Sequence, residues 1–524
     1  MHIAILGAGI TGLTLARTLS LGLAARGGGP SIRISVLEGG DRTGGRVQTQ
    51  RKSVGGTDAI FEQGPRTLRP TGAAGLRTLR LLGDLGLTEE VLQVGKDAPA
   101  ARKRYLYVGG RLLLLPSSVI DAIKASFSGP LKGLVGSILR EAFIPPRDKM
   151  LKDESVRDFF ARRFPGSEGI QMAGSAMMHG IYAGDYRRLS IRSCLPSVWD
   201  AEGRSGSLVR GMLLPSTQDA STANAQQEKE AREELRAKYP RLMDIADTSA
   251  IYSLRSGLSR ITDALTRSLL ESSIVTLRSS SPVVQMRPSD KGLHLKTDSG
   301  RQEVLDADWV ISTLPGPSLT SCLEGTSGAP IPYTTPYASV AVVNMAFNRR
   351  VLPIDPAFGY LVPVREKGDA LGVVFDSDAL PSQDGEHKGE LNRLTVMMGG
   401  WRFDEVFGQD PQPNQALDKA RRVLKDQLGI QEEPMAHHVS IQHDCIPQYE
   451  VGWWEGMGKV DKWLRSSTGG HGRIAVCGAG WGGVSVNDCV QNAELMGHAF
   501  LRELHNSSSG KSMILQTGLE RFRE

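Results

Sequence analysis

Residues 2–13 have the sequence His-Ile-Ala-Ile-Leu-Gly-Ala-Gly-Ile-Thr-Gly-Leu. A short apolar run is followed by Gly7, Gly9 and Gly12 in G-x-G-x-x-G spacing, and apolar residues then recur at helical intervals. This pattern predicts a strand, a tight turn and a helix that together bind a dinucleotide. The N–H groups and the positive dipole end of the helix would face a pyrophosphate.

An acidic residue completes this fingerprint. Residues 32–37 predict a second strand, and Glu38 follows it. The distance from Gly12 exceeds the usual spacing of about 20 residues, and the excess lies in a Gly/Pro-rich turn at residues 25–31. We expect Glu38 to accept hydrogen bonds from a ribose. The alternative is an ordinary solvated glutamate at the end of a strand.

Composition is that of a soluble globular protein. The 524 residues are 40% hydrophobic and 23% charged, with a net charge of +5 that is spread along the chain. This suits an anionic substrate or membrane surface and does not predict nucleic-acid binding. The five cysteines lack C-x-x-C pairing, so we expect no disulfide framework, no zinc or other metal site, and a reducing compartment. No secretory signal, cleavable transit peptide or run of 18 apolar residues is apparent.

Several further motifs point to one family. They are the R-x-G-G-R cluster at residues 42–46, Phe-Glu-Gln-Gly-Pro-Arg at 61–66 continuing to Arg69-Pro70, and Gly-Ala-Gly-Trp-Gly-Gly-Val-Ser-Val-Asn-Asp-Cys at 478–489. With the glycine turn, they resemble the flavin amine oxidase superfamily, and within it the protoporphyrinogen oxidase family of eukaryotic mitochondria. The resemblance covers nearly the whole chain, including residues 104–110, 180–185, 189–194 and 445–449.

The resemblance implies an α/β fold: a Rossmann-like FAD-binding domain, a mixed α+β substrate domain and a helical, membrane-associated domain. The FAD domain is expected to be discontinuous, over residues 1–98, 248–325 and 466–510. Apolar runs at 309–312 and 474–476 predict strands of it in the later stretches. Residues 99–214 would form the helical membrane and substrate-channel domain, and 326–465 the substrate-binding domain. Apolar, β-rich runs at 338–346, 371–375 and 394–398 favour a sheet there. Residues 215–238 are polar, and we expect a mobile insertion over 215–247, although helical charge pairing could order the part around 228–238. Residues 511–524 would be a C-terminal tail.

The implied cofactor is non-covalent FAD. Some amine oxidases attach flavin through a cysteine near the position of Cys477, but the surrounding residues differ here. Arg46 stands where the family also has a bulky aromatic residue, and Val486-Asn487 would begin a helix aimed at the negative charge of reduced flavin. The residues implied to bind FAD are Gly7, Ala8, Gly9, Ile10, Thr11, Gly12, Glu38, Arg46, Gly64, Pro65, Arg66, Thr67, Val283, Ala479, Val484, Ser485 and Val486.

The implied substrate is protoporphyrinogen IX, a tetrapyrrole with two propionates. Arg104 would pair a propionate, and a Gly180 carbonyl would accept a pyrrole N–H. The remaining implied positions form an apolar wall: Phe358, Leu361, Val374 and Met397. The alternatives are a surface arginine at 104 and plain core packing at 358 and 397.

The resemblance also implies the activity. Flavin N5 would accept hydride, oxygen would reoxidise the flavin to give hydrogen peroxide, and no side chain is assigned as catalytic. His179 adjoins Gly180 but is interpreted as structural. Alternatives are an amine oxidase or carotenoid desaturase of the same fold, or a membrane-bound flavoprotein scaffold without turnover. A homodimer and a ferrochelatase contact are further implied partners.

Residues 112–150 are amphipathic. Leu131, Leu134, Val135, Ile138 and Leu139 would share one helical face surrounded by basic residues. Such a segment can lie on a membrane without crossing it, although an ordinary core-facing helix gives the same pattern. The resemblance favours peripheral attachment at the mitochondrial inner membrane.

Overall fold

The structure is a computed structural model that describes residues 1–25, 32–54, 56–213, 223–289, 292–298, 300, 302–323, 330–366, 368–387, 391–466, 472–506 and 516–523. The strands in this part of the chain are β1 (His2–Leu6), β2 (Arg33–Leu37), β3 (Thr49–Val54), β4 (Thr57–Glu62), β5 (Val91–Gly95), β6 (Tyr105–Val108), β7 (Arg111–Leu114), β8 (Ser249–Leu254), β9 (Val275–Arg278), β10 (Val283–Ser289), β11 (Gly292–Asp298), β12 (Gln302–Ala307), β13 (Trp309–Ser312), β14 (Tyr337–Phe347), β15 (Gly359–Leu361), β16 (Ala370–Val374), β17 (Asn392–Gly400), β18 (Ala436–Pro447) and β19 (Ile474–Val476).

The α-helices described are α1 (Ile10–Ala24), α2 (Gly72–Asp84), α3 (Pro99–Arg102), α4 (Val119–Ala125), α5 (Leu134–Glu141), α6 (Val156–Arg163), α7 (Glu168–Tyr182), α8 (Ile191–Cys194), α9 (Pro196–Ser205), α10 (Leu208–Leu213), α11 (Ala223–Lys238), α12 (Pro240–Thr248), α13 (Ser259–Leu270), α14 (Gly316–Leu323), α15 (Asp376–Ala379), α16 (Phe403–Phe407), α17 (Pro413–Leu428), α18 (Trp453–Arg465), α19 (Ala479–Gly482) and α20 (Val486–Asn506).

A parallel sheet gathers distant parts of the chain. Its strand order within the described residues is β19-β13-β1-β2-β9, and every pairing is parallel. The strands are short and largely apolar because both faces of the sheet are buried. α1, α13 and α20 share one hydrophobic cluster with β1 and β2. Parts of the chain near both ends and in the middle therefore build one sheet, as the glycine fingerprint and the predicted strands at 32–37, 309–312 and 474–476 indicate.

A larger mixed sheet lies next to it. Its order over the described strands is β18-β14-β17-β16-β15-β6-β7, and its pairings are antiparallel except β15 with β6. The runs at 338–346, 371–375 and 394–398 are indeed strands of it. The expected boundary at residue 99 is wrong in one respect. Strands β6 and β7 extend this sheet, because Leu106 pairs with Leu361, so residues 105–114 belong with the substrate sheet rather than with the helices.

The helices after β7 are held by buried charges. Glu141 at the end of α5 and Arg163 at the end of α6 have fully buried side chains that form an ion pair. Arg163 also donates to the carbonyl of Pro145 at 2.9 Å. An ion pair taken out of water is tolerated only when further hydrogen bonds satisfy it. Backbone N–H groups of Leu208 and Val209 donate to the same Glu141 carboxylate at 2.7 and 3.0 Å, so α5, α6 and α10 are joined at one point.

The predicted helical face of Leu131, Leu134, Val135, Ile138 and Leu139 is wrong in part, because Leu131 lies outside the helix that carries the other four. Residues 112–150 contain the short helices α4 and α5 around a 3₁₀ turn. Leu131 is buried while Leu139 is exposed, because the break at Gly133, whose φ is +77°, separates the two. Large apolar side chains are nevertheless exposed here, namely Leu114, Ile120, Ile123, Phe127, Leu139, Phe143 and Met150. No helix among the described residues has both the length and the apolar character needed to cross a bilayer.

Most of the predicted mobile insertion at 215–247 is ordered helix. α11 and α12 occupy residues 223–248, and Leu235 and Leu242 are completely buried in the same cluster as α2. Arg80 of α2 also pairs with Glu234 at 3.0 Å. Apolar residues spaced along an otherwise charged helix therefore supplied enough burial to order it. Residues 215–222 lie outside the described part of the chain.

The described part of the C-terminal tail, residues 516–523, is packed. Leu519 and Phe522 are buried, and the Val476 N–H donates to the Thr517 carbonyl at 2.8 Å. Arg523 forms an ion pair with Asp461 at 3.0 Å. This segment therefore lies beside β19 rather than extending from the molecule.

Candidate cofactor and substrate site

The glycine turn is dictated by close packing. A Cβ at Gly12 would lie 1.9 Å from the Gly7 carbonyl oxygen, and Gly7 has a φ of +94° that other residues rarely adopt. At Gly9, by contrast, the nearest atom to such a Cβ is the Gly45 Cα at 3.9 Å. Gly7 and Gly12 are thus needed to build the turn, whereas Gly9 leaves its backbone open to an approaching group.

Glu38 is tied to this turn. The Ala8 N–H donates to its Oε2 at 2.8 Å, and the Gly40 N–H donates to Oε1 at 2.8 Å. The Ser281 N–H donates to the Glu38 carbonyl at 2.7 Å, which brings the start of β10 at Val283 alongside. The structure thus places Glu38 at the glycine turn and not as a freely solvated residue.

Arg46 is directed elsewhere than the turn. The Gly44 N–H donates to the Ala8 carbonyl at 2.8 Å, so the R-x-G-G-R cluster does contact the glycine turn. The Arg46 guanidinium, however, donates to Gln442 Oε1 at 2.5 Å and to the His443 carbonyl at 2.6 Å. Arg46 therefore links the cofactor sheet to β18 of the mixed sheet.

The segment of residues 64–67 is joined to the mixed sheet by a buried ion pair. Arg66 Nη1 lies 3.1 Å from Asp376 Oδ1, with side chains that are 9% and 12% exposed. Thr395 of β17 lies 2.6 Å from the other carboxylate oxygen of Asp376. Arg66 Nη2 is buried and has no hydrogen-bond partner among the described residues, a donor that a bound acceptor would satisfy.

Residues 477–486 form the remaining part of the candidate cofactor site. A Cβ at Gly478 would lie 3.4 Å from Thr11 Oγ1 of α1, so this segment adjoins the glycine turn. Ser485 caps α20, because its Oγ accepts from the Asp488 N–H at 3.1 Å. Burial raises the pKa of Cys477 to about 12, which keeps its thiol protonated and a poor nucleophile.

These elements fit FAD. The carboxyl ends of β1, β2, β13 and β19 and the N-termini of α1 and α20 meet at one edge of the parallel sheet. Ligands of doubly wound sheets bind at this edge, and helix N-termini favour negative charge there. The open backbone at Gly9 and the unsatisfied donor on Arg66 are the observations of this chain that suit a large anionic cofactor.

Strand register brings the predicted substrate residues together. Leu361 of β15 pairs with Gly372 of β16, and Gly372 pairs in turn with Met397 of β17. Val374 lies two residues after Gly372 on β16. Paired residues and those two apart share one face of a sheet. The same face therefore carries Leu361, Val374 and Met397, and it continues to Leu106 and so to the Arg104 end of β6. The opposite face packs against α17.

Helix α7 covers this face. A Cβ at Gly180 would lie 2.8 Å from Leu361 Cδ2, so the helix backbone approaches the sheet as closely as side chains allow. Phe358 lies at the start of β15, where its N–H donates to the Lys103 carbonyl at 3.1 Å. Gly180 and Phe358 thus flank the apolar face, beside Arg104.

Arg104 is solvent-accessible but partly desolvated. Its guanidinium carbon lies 5.7 Å from the centroid of the Phe358 ring. Desolvation lowers its pKa, and the positive charge of Arg69 lowers that pKa further. Neither Arg104 nor Arg69 has an ion-pair partner among the described residues, so two positive charges lie near each other without a carboxylate to neutralise them. Such an arrangement attracts an anion.

Sequence reasoning missed four residues of this site. Arg69 continues the motif at residues 61–66, but the sequence of that motif gave no sign that its charge would lie near Arg104. Asp376 and Thr395 follow no motif, and only the approach of β17 to residues 64–67 reveals them. A fourth, Glu62, is buried and accepts from the Leu258 N–H at 2.7 Å. Burial raises its pKa to about 7.

Comparisons with known proteins agree with this geometry. The family model described as flavin containing amine oxidoreductase matches residues 10–495. A solved structure from Exiguobacterium sp. 255-15 has a TM-score of 0.71 at 21% identity, covering 96% of this chain and 99% of that one. Cyclohexylamine oxidase from Brevibacterium oxydans IH-35A has a TM-score of 0.62 at 15% identity, over 96% and 99%. At such identities the structures show the fold alone.

Two relatives are closer in sequence. Protoporphyrinogen oxidase from Homo sapiens is 36% identical over 94% of this chain and 96% of the relative. That from Schizosaccharomyces pombe is 31% identical over 97% and 100%. The chain is therefore an FAD-binding oxidoreductase of the flavin-containing amine oxidoreductase family. Within that family it belongs with the protoporphyrinogen oxidases of eukaryotes.

Proposed function

We propose that this chain catalyses the FAD-dependent, oxygen-linked oxidation of protoporphyrinogen IX to protoporphyrin IX in haem biosynthesis, with hydrogen peroxide as the by-product. The observation that carries the proposal is the pair of positive charges, Arg104 over the Phe358 ring and Arg69 near it, beside an apolar sheet face. That face is joined to the cofactor segment through Thr395, Asp376 and Arg66. A largely apolar macrocycle with carboxylate arms matches both features.

Each side chain has a binding or orienting role in this proposal. Arg104 pairs a propionate, since a guanidinium fork matches a carboxylate. The apolar wall holds the macrocycle, and the Gly180 carbonyl accepts a pyrrole N–H. When bound, FAD supplies the oxidant that removes hydride equivalents from the substrate. The chain contributes orientation and exclusion of water, and no side chain is assigned as a base.

We also propose peripheral attachment to the mitochondrial inner membrane. The exposed apolar side chains of residues 114–150 support it, since Phe127 and Phe143 are 78% and 81% exposed. Lys124, Lys132 and Arg140 lie among them and would meet anionic headgroups. A homodimer and a ferrochelatase contact complete the proposed partners, with no residues assigned to them.

An anaerobic titration tests the reaction. Under argon, protoporphyrinogen IX should bleach the bound flavin, and readmitted oxygen should restore its colour and generate hydrogen peroxide and porphyrin fluorescence. A panel of primary amines provides the comparison for an amine oxidase. Flavin that is bleached by an amine but not by the porphyrinogen would assign the chain to the other activity. Flavin that none of them bleaches would favour a scaffold without turnover.

A further inference from the structure

The ring of His179 is engaged at both nitrogens. His179 is buried on α7, with Nδ1 2.7 Å from the Val362 carbonyl oxygen and Nε2 3.0 Å from Trp401 Nε1. An indole N–H can only donate and a carbonyl can only accept. Nε2 must therefore be the unprotonated acceptor, and Nδ1 must carry the proton. The partners assign a neutral imidazole in the Nδ1–H tautomer.

We infer that His179 is a positioning residue, which in this neutral form fastens α7 across the substrate face and so fixes Gly180 against Leu361. This inference rests on the proposed function, in which Gly180 contacts the tetrapyrrole. Val362 directly follows Leu361, and His179 directly precedes Gly180. One side chain therefore sets the spacing between the two backbone segments that flank the site.

Further hydrogen bonds join α7 to residues 362–364 and to Trp401, a contact that we call the seam. The backbone N–H of Trp401 donates to the Ala183 carbonyl at 2.8 Å. The backbone N–H of Val364 donates to Ser175 Oγ at 2.8 Å. Ala183 has a φ of +49°, an unusual conformation for a residue with a side chain. The end of α7 is thus held in one place by contacts on either side of His179.

The charges around the ring favour the neutral form. The guanidinium carbons of Arg187 and Arg402 lie 5.2 and 5.9 Å, respectively, from the centroid of the Trp401 ring. Arg187 is paired with Asp185, and Arg402 with Glu405. Burial is the main cause that lowers the pKa of His179, Arg402 lowers it further, and the Val362 carbonyl and Asp185 oppose this. Protonation would set an Nε2–H against the indole N–H and break that bond.

The same bonds explain why His179 is not a base. Its single lone pair in the plane of the ring, on Nε2, is occupied by Trp401. The residue therefore acts through the placement of Gly180 and not by touching the substrate.

The test compares His179→Gln with His179→Leu. A glutamine amide can accept from the indole and donate to the carbonyl, whereas leucine can do neither. We expect His179→Leu to raise KM for protoporphyrinogen about 10-fold, in line with loss of a buried hydrogen bond, with kcat nearly unchanged. His179→Gln should remain within about 3-fold of the wild type. His438→Gln serves as the control, since His438 is a half-buried histidine of β18 away from the seam.

A second set of measurements tests the hydrogen bonds of His179 without depending on enzyme turnover. Trp401→Phe and His179→Leu should lower the free energy of unfolding non-additively, because each removes the same bond. Nitrogen-15 spectra of the histidine rings should show a neutral Nδ1–H signal that is lost in His179→Gln. Unchanged KM in His179→Leu, additive unfolding energies, or an Nε2–H tautomer would each overturn the inference. Wild-type enzyme without turnover would instead refute the proposed function, and this second set of measurements would still decide the tautomer and the seam.

Discussion

The guanidinium carbon of Arg104 lies 5.7 Å from the centroid of the Phe358 ring, at the end of the face that carries Leu361, Val374 and Met397. Arg104 thus lies over an aromatic ring and near a second cation, Arg69, without a carboxylate partner among the described residues. The site is thereby polarised, with charge at one end and an apolar wall along its length. This polarity supplies the first prediction.

Arg104→Ala should lower kcat/KM for protoporphyrinogen about 10- to 100-fold, because a charge-assisted bond worth roughly 1.5–3 kcal/mol is lost. Arg104→Lys should recover part of the loss, since a point charge cannot reproduce the guanidinium fork. Steady-state porphyrin fluorescence gives the rates, beside the flavin content of each variant. Arg102→Ala is the matched control, because Arg102 is exposed and pairs with Asp97. Wild-type kcat/KM in flavin-replete Arg104→Ala would make Arg104 an ordinary surface residue.

Gly9→Ala should fold normally but bind FAD more weakly. The added Cβ meets only the Gly45 Cα, at an ordinary contact distance of 3.9 Å, yet it occupies the side from which a pyrophosphate would approach. A clash of about 1–3 kcal/mol corresponds to roughly 5- to 150-fold weaker binding. Apoprotein titrated with FAD measures the affinity, and thermal unfolding of the apoprotein checks the fold. Gly95→Ala, with nothing within 4 Å of its Cβ, is the control. Equal affinity in both variants would remove Gly9 from the cofactor site.

The flavin should be released intact by acid. Burial raises the pKa of Cys477 to about 12 and that of Cys489 to about 11, so neither thiol is a ready nucleophile near the cofactor segment. Acid precipitation should leave the yellow chromophore in the supernatant. Colour that stays in the pellet of the wild type and disappears with Cys477→Ser would instead establish a covalent bond.

The contribution of Glu62 to stability should fall as pH rises from about 4.5 to 7, so the pH profiles of the wild type and Glu62→Gln should diverge in that range. Burial raises the pKa of Glu62 from 4.5 to about 7, so the folded state binds the proton more tightly than the unfolded state does. The stabilising contribution is present below the unfolded pKa and is lost as pH rises through the folded pKa. The shift corresponds to a loss of about 3 kcal/mol. Denaturant unfolding of the FAD-saturated protein at several pH values measures it, and parallel pH profiles for both proteins would contradict the assignment.

Phe127→Ser combined with Phe143→Ser should reduce sedimentation with vesicles of anionic lipid. These rings are 78% and 81% exposed, and burying each at a membrane surface removes apolar area from water. Val304→Ser is the control, since Val304 is also largely exposed but lies on β12 in another region. High salt should weaken the wild-type interaction further. Equal sedimentation of the wild type, the double phenylalanine variant and Val304→Ser would show that Phe127 and Phe143 do not contact the membrane.

The sequence by itself determined the cofactor side of this protein. The glycine spacing, the acidic residue after the second strand and the strand at 474–476 depend on local requirements: a φ above zero, a Cβ that cannot fit, and short apolar runs that only a covered sheet can bury. Each requirement acts within a few residues, so each leaves a readable pattern. The structure has β1, β2, β13 and β19 where these patterns predicted them.

Only the tertiary structure decided what surrounds that core. The burial of α11 and α12 and the addition of β6 and β7 to the mixed sheet depend on partners far away along the chain, such as Arg80 for Glu234 and Leu361 for Leu106. The pairing of Arg66 with Asp376 spans 310 residues, and the bond from Trp401 to His179 spans 222. A hydrogen bond across such a separation imposes no periodicity on the chain. The charge state and role of these side chains therefore follow from contacts that only the folded chain creates.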